Sequence, residues 1–193
     1  MNCYKPKRNS IKRIKEMRAN KRIPKEITNG LKSTQFKFMF DEEGVLGDPG
    51  DCYVLFKPED GPYKAQEHVL RIRWRYGSGD TKYEYPNDPP NITFMTPIMH
   101  SNIGPTGAIC LDILKKGNDP ACKYSSMYGI EAFYNSIIGL LADPHPGSPL
   151  NGEAARVYNA YGKTPEYHKF LDEYYQSKLS DGHKKILESV MKK

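Results

Sequence analysis

A cysteine that follows an asparagine by eight residues, with a histidine just ahead of both, can do acyl-transfer chemistry. Residues 100–114 read HSNIGPTGAICLDIL and hold all three: His100, Asn102 and Cys110. A thiolate is intrinsically a strong nucleophile, and the thioester it forms gives up its acyl group more readily than an ester does. Asn102 has an amide N–H suited to the oxyanion formed when an amine attacks that thioester. It also has the side chain to hold its own loop by Asx-type bonds, and the residues favour neither role. The Gly104-Pro105-Thr106-Gly107 segment is turn chemistry that lets the polar pair fold back toward the thiol. A lone cysteine more often reads as a small buried hydrophobe, and Cys110 does lie in an apolar frame of Ile109, Leu111 and Ile113.

Such a constellation needs elements to position it. Ile11 and Ile14 suggest a short basic helix over about 9–20, with Pro24 ending it or opening the following loop. Phe36, Phe38 and Phe40 alternate with other residues as in a half-buried strand. An acidic, glycine-rich loop at 41–51 leads to an apolar strand at 52–57, and a turn at 58–63 closes a hairpin. Leu70, Ile72, Trp74 and Tyr76 then alternate with Arg71, Arg73 and Arg75, predicting one strand with a buried face and a basic solvated face. Arginines in that setting are expected to meet cross-strand acids rather than phosphates. Residues 77–82 read as an exposed loop. The YPNDPP run at 85–90 stiffens the approach to a last strand at 92–95. The sum is an antiparallel four-stranded meander.

Residues 115–126 are polar and irregular. Ile130, Phe133, Tyr134, Ile137, Leu140 and Leu141 recur at helical spacing and predict a central buried helix, stopped by Asp143-Pro144-His145-Pro146. Thr164-Pro165-Glu166 starts another helix, with Phe170, Leu171 and Tyr174 on its apolar face. Asp181 is placed to cap a final helix, about 181–193, carrying Ile186, Leu187, Val190 and Met191. The fold class is α+β.

The chain of 193 residues suits one domain, 1–193. Its net charge of +6 is concentrated at one end: residues 1–25 hold ten Lys/Arg and one acid, whereas the remainder holds 19 against 22. Such an end suits an acidic partner, nucleic acid or simple solvation, but no nucleic-acid reader motif accompanies it, so nucleic acid is not an expected partner. The four cysteines show no CxxC pair or His/Cys ligand spacing, which argues against zinc. Without an apolar leader or a membrane-length run, the expectation is an intracellular protein, cytoplasmic or nuclear, with free thiols and no membrane partner.

Three motifs together resemble the ubiquitin-conjugating enzymes. The first is residues 100–114, where the family has His-Pro-Asn, a short loop, then a nucleophilic Cys followed by Leu-Asp-Ile-Leu; here Ser101 stands in place of the proline. The second is Tyr85-Pro86-x-x-Pro89-Pro90. The third is Asp143-Pro144-x-Pro146-x-x-Pro149-Leu150, followed by Glu153-Ala154-Ala155. The resemblance covers nearly the whole chain to about Tyr175, with the final helix beyond it. It implies a UBC-like fold with an N-terminal helix, the four-stranded meander and C-terminal helices.

It further implies that Cys110 takes ubiquitin or a ubiquitin-like modifier from an activating enzyme and passes it to lysine amines of a protein substrate. No cofactor is expected on the chain, ATP being used by the activating enzyme. By the same resemblance Asn102 serves the oxyanion or the loop, His100 is a structural support, and Asp112 and Ser148 flank the reaction, Ser148 orienting the lysine. Lys12 and Lys15 face protein partners. The ligase, RING or other, would meet loops containing Asn87, Pro120 and Ala121. There Asn87 and Asn118 replace apolar anchors usual in the family, which weakens a standard ligase contact. The alternative is a catalytically weak UBC-fold binding module, though such variants generally lack the cysteine.

Overall fold

The computed structural model describes residues 20–78, 81–117, 119–162 and 164–192. The apolar alternations become strands β1 (Lys37–Asp41), β2 (Asp51–Phe56), β3 (His68–Arg73) and β6 (Asn91–Phe94). They pair antiparallel in the order β1-β2-β3-β6, with Phe38 opposite Val54, Val54 opposite Leu70, and Leu70 opposite Phe94. These four residues therefore share one face. The face packs on helix α2 (Ile130–Ala142), in which all six residues of the predicted stripe are buried.

The opposite face departs from expectation. Met39, Tyr53, Leu55 and Val69 point away from α2, yet they are buried beneath Leu187 and Val190 of helix α5 (Asp181–Met191). All six residues of β2 are buried. The meander is thus sandwiched along β1–β3 rather than half-solvated, because the last helix folds back across it.

The basic strand is shorter than its alternation suggests. β3 ends at Arg73, and β4 (Arg75–Ser78) pairs with β5 (Thr81–Glu84) as a separate two-stranded hairpin, so strand replaces much of the expected loop at 77–82. Trp74 sits at the break, on the buried face as its alternation with Leu70 and Ile72 predicts. Its indole is fully buried, donates to Cys52 Sγ (3.1 Å) and lies 5.1 Å from the Tyr85 ring. Beyond it Tyr76 and Tyr83 stack across the hairpin at 5.1 Å. The arginines do meet neighbouring-strand groups: Arg71 with Asp51, Arg75 with Glu84, and Arg73 with Asn91.

The helix expected at 9–20 lies outside the described residues. Helix α1 occupies Arg22–Lys32, so Pro24 lies within a helix and not in a loop. A proline in the first turn loses no intrahelical bond, since those N–H groups have no helical partner. Asn20 Oδ1 accepts from the N–H groups of Arg22 and Ile23 (3.0 and 3.2 Å). The buried Glu26 carboxylate pairs with Arg22 (2.8 Å) and accepts from the Ile130 N–H (2.9 Å), so α1 caps α2.

Helix α3 (Gly152–Tyr161) is capped by Asn151, and α4 (Pro165–Lys178) by Thr164 with proline at its first position. In α4 the buried side is Tyr167, Leu171 and Tyr175; Phe170, expected inside, is 38% exposed. The cap of α5 is Ser180 in a capping box with His183, not Asp181, which is the first helical residue. Among the described residues no helix is long and apolar enough to cross a membrane.

Candidate active site

Where β6 ends, the chain builds its site from buried polar groups. His100 is fully buried and uses both ring nitrogens. Nε2 donates to the Leu140 carbonyl (3.0 Å), one of the last-turn carbonyls of α2 that a helix leaves unpaired. Nδ1 accepts from the Asn102 N–H (3.0 Å). These partners assign the Nε2–H tautomer, since a carbonyl can only accept and an amide N–H only donate. Burial pushes the ring's pKa down to about 4, so the imidazole is neutral. With both nitrogens bonded to main chain, His100 has none left for the thiol.

Ser101 and Asn102 tie this strand end to two other segments. The Ser101 carbonyl accepts from the N–H groups of Leu150 and Asn151 (2.8 and 3.0 Å), fixing the start of α3. Its hydroxyl donates to Asn102 Oδ1 (3.1 Å), a bond proline could not make. Asn102 grips His145 at two points: Oδ1 accepts from its N–H (2.8 Å), and Nδ2 donates to its carbonyl (2.9 Å).

The glycine-rich turn folds back as its composition suggests. Bridges join Ile103 to Ile109 and Thr93 to Ala108, and the Cys110 N–H donates to the Asn102 carbonyl (2.9 Å). Gly107 is indispensable to this path. Its φ is +80°, and a Cβ there would lie 2.0 Å from the Phe94 carbonyl oxygen.

Cys110 is half-buried on a cleft of about 370 Å³ that is also lined by Asn102, Asp112, Lys115, Lys123 and Ser148. Asp112 opens a single 3-10 turn, Asp112–Leu114. Its carboxylate pairs with Lys123 Nζ (3.1 Å) and Lys115 Nζ (3.3 Å), and these bonds, led by Lys123, hold its pKa below the usual carboxylate value. Ser148 is exposed on the rim.

The expected group Asn102, Cys110, Asp112 and Ser148 thus shares one cleft, with His100 directly behind Asn102. The expected partner-facing residues stand apart from it. Asn87 and Pro120 are exposed and Ala121 is half-buried; their two loops are tied by a bond from Tyr124 Oη to the Pro86 carbonyl (2.7 Å). Lys12, Lys15 and Asn118 lie outside the described residues. Sequence reasoning missed Lys115, Lys123 and His145 as members of the site. His145 was signalled by its place in the Asp-Pro-His-Pro motif, whereas the lysines carried no signal beyond their number.

The Cys110 thiol thus lies on a cleft that the Asn102 amide also lines. Comparison with known proteins supplies the family. The sequence profile of the family described as ubiquitin-conjugating enzyme matches residues 50–175. Ubiquitin-conjugating enzyme E2 3 of Arabidopsis thaliana is 35% identical over 122 residues, 60% of this chain and 73% of the relative. Ubiquitin-conjugating enzyme E2 2 of Neurospora crassa is 34% identical over 128 residues, 66% of this chain and 75% of the relative. The chain belongs to the ubiquitin-conjugating enzyme family and is a transferase of that class.

Proposed function

We propose that Cys110 is the residue on which the modifier travels. Its thiolate attacks the thioester carbonyl presented by an activating enzyme; a new C–S bond forms and the activating enzyme's thiolate leaves. A substrate lysine then attacks the Cys110 thioester, the N–C bond forms, the C–S bond breaks, and the thiolate returns to Cys110. Ubiquitin is the modifier most in keeping with the family, and a ubiquitin-like protein would use the same steps. The chain contributes no cofactor, ATP being consumed by the activating enzyme.

The observation that carries this reading is the contrast among the described cysteines. Cys52 is wholly buried, with its thiol pushed well above its ordinary pKa by desolvation. Cys122 donates to the Lys115 carbonyl (3.1 Å). Cys110 is half-buried and lines a cleft large enough to admit an acyl group and an amine.

Asn102 has two N–H hydrogens on Nδ2. One is committed to His145, which leaves the other for the oxyanion. The loop-holding and oxyanion roles are therefore compatible. His100 positions Asn102 through its backbone N–H. The Ser148 hydroxyl, a poor base, orients the incoming lysine at the rim. Lys12 and Lys15 contact protein partners, and the loops of Asn87, Pro120 and Ala121 meet a ligase by a surface poorer in apolar anchors than is usual.

A charging assay tests the proposal. With activating enzyme, ATP and ubiquitin, the wild type should gain an adduct removed by thiol reduction. Cys110→Ala should lose it, while Cys3→Ala, Cys52→Ala and Cys122→Ala keep it. An adduct that survives in Cys110→Ala would move the chemistry to another residue.

A further inference from the structure

A protein that delivers acyl groups to lysine amines must keep its own lysines from intercepting them. Three lysines follow Cys110 closely, and the fold treats them differently. Lys116 turns onto the hairpin, with Nζ 3.3 Å from the centre of the Tyr83 ring. Lys115 and Lys123 line the cleft that holds the thiol. Both are joined to one residue, Asp112, whose two carboxylate oxygens take one ammonium each, at 3.3 and 3.1 Å. The same residue's carbonyl accepts the backbone N–H of Lys115 and of Lys123, at 3.3 and 3.0 Å. One aspartate thus pins both lysines by main chain and by side chain.

We propose that Asp112 is a guard: it holds Lys115 and Lys123 as ion-paired ammonium groups beside Cys110 and so withholds them from the thioester. This inference rests on Cys110 being the carrier. An ammonium has no lone pair, and only the neutral amine can add to the thioester carbonyl. When a guarded lysine escapes, Nζ adds to that carbonyl, the N–C bond forms and the C–S bond breaks. The thiolate stays on Cys110 and the amine's proton goes to solvent. The product is an isopeptide-linked adduct that resists reduction and blocks the cleft.

The electrostatics agree with this geometry. Lys115 holds its proton more tightly than an ordinary lysine, through its hydrogen bond to Asp112 first, with further help from the negative charge of Asp119. The charged group facing Lys123 is Asp112. The pairs are partly exposed, so the guard is a modest one and yields to salt.

The test is single-turnover discharge without a substrate protein. The full chain is charged with ubiquitin, activation is stopped, and reduction-resistant adduct is followed relative to the reducible adduct present at the start. Asp112→Asn should form resistant adduct about fivefold faster, the factor appropriate to such ion pairs, and peptide mapping should place it on Lys115 and Lys123. Adding Lys115→Arg and Lys123→Arg should return the rate to the wild-type level, and Asp112→Glu should restore the guard. In wild type, raising salt from about 50 mM to about 1 M should raise the rate toward that of Asp112→Asn, a response that a purely structural aspartate would not give.

Equal rates in wild type and Asp112→Asn, or resistant adduct that persists in the triple variant, would overturn the guard. If Asp112→Asn does not charge, the wild-type salt series decides: no salt-induced adduct on the two lysines overturns it. Absence of any reducible adduct in wild type, with ubiquitin and with ubiquitin-like modifiers supplied with their own activating enzymes, overturns the Cys110 reading, and the guard with it.

Discussion

Two regions of this molecule are buried by opposite means. The support of the site is polar: His100, Ser101 and Asn102 are buried, and their side chains and carbonyls bond to main chain at Leu140, His145, Leu150 and Asn151. The outer sheet face is apolar: Met39, Tyr53, Leu55 and Val69 meet Leu187 and Val190. A polar bond has direction and a preferred length, whereas apolar burial rewards area with little regard to orientation. The first region should therefore govern how fast the thioester discharges, and the second how stable the sheet is.

The comparison breaks most readily at Asn102. Asn102→Ala removes both bonds to His145 and the amide that shares the cleft with Cys110, so lysine discharge of the charged protein should fall about 10²- to 10³-fold. Discharge within a factor of three of wild type would show that this amide serves neither the reaction nor its geometry. Leu187→Ala should do the reverse. Loss of a buried leucine costs about 2–5 kcal/mol of unfolding free energy, measured by denaturant titration, while the discharge rate per folded molecule stays unchanged. A fall in that rate would mean that the outer face and the cleft are coupled.

A smaller effect comes from pH. Burial holds His100 at a folded pKa of about 4 and His68 at about 3, against roughly 6.5 in the unfolded chain. Both are lowered, so the unfolded state binds more protons as pH drops below about 6.5. Stability is full above that pH and is lost on the way down, through about 4 for His100 and lower for His68. Between about pH 6 and 5 the unfolding free energy should decline with a slope approaching two protons, and a variant lacking either ring should lose one. A flat profile would show that the rings are not kept neutral.

Much of the architecture could be read from periodicity. The six apolar positions of α2 and the alternations of β1 to β3 follow from geometry that every helix and strand shares, and the turn before Cys110 follows from its glycines and proline. What escaped depends on partners distant in the chain. Pro24 looked like a terminus because proline opens helices as well as closing them. The β4–β5 hairpin read as the end of one strand and a loop because nothing local shows that the chain leaves the larger sheet after Arg73. Met39, Tyr53 and Leu55 were read as ordinary strand residues, because their cover comes from a helix more than a hundred residues later. Within the site, Cys110, Asn102, Asp112 and Ser148 were visible through motif and resemblance. Lys115 and Lys123 were not, since only folding brings both to Asp112.

Gly107 carries one more consequence, this time for genetics. No larger side chain fits between its backbone and the Phe94 carbonyl, and its left-handed φ penalises any side chain that tried. A saturation-mutagenesis survey scored on ubiquitin transfer should find Gly107 as intolerant as Cys110 itself. Read without the structure, that survey would credit a residue with no side chain with a part in the chemistry, when what is being selected is the hairpin bend that carries the cysteine.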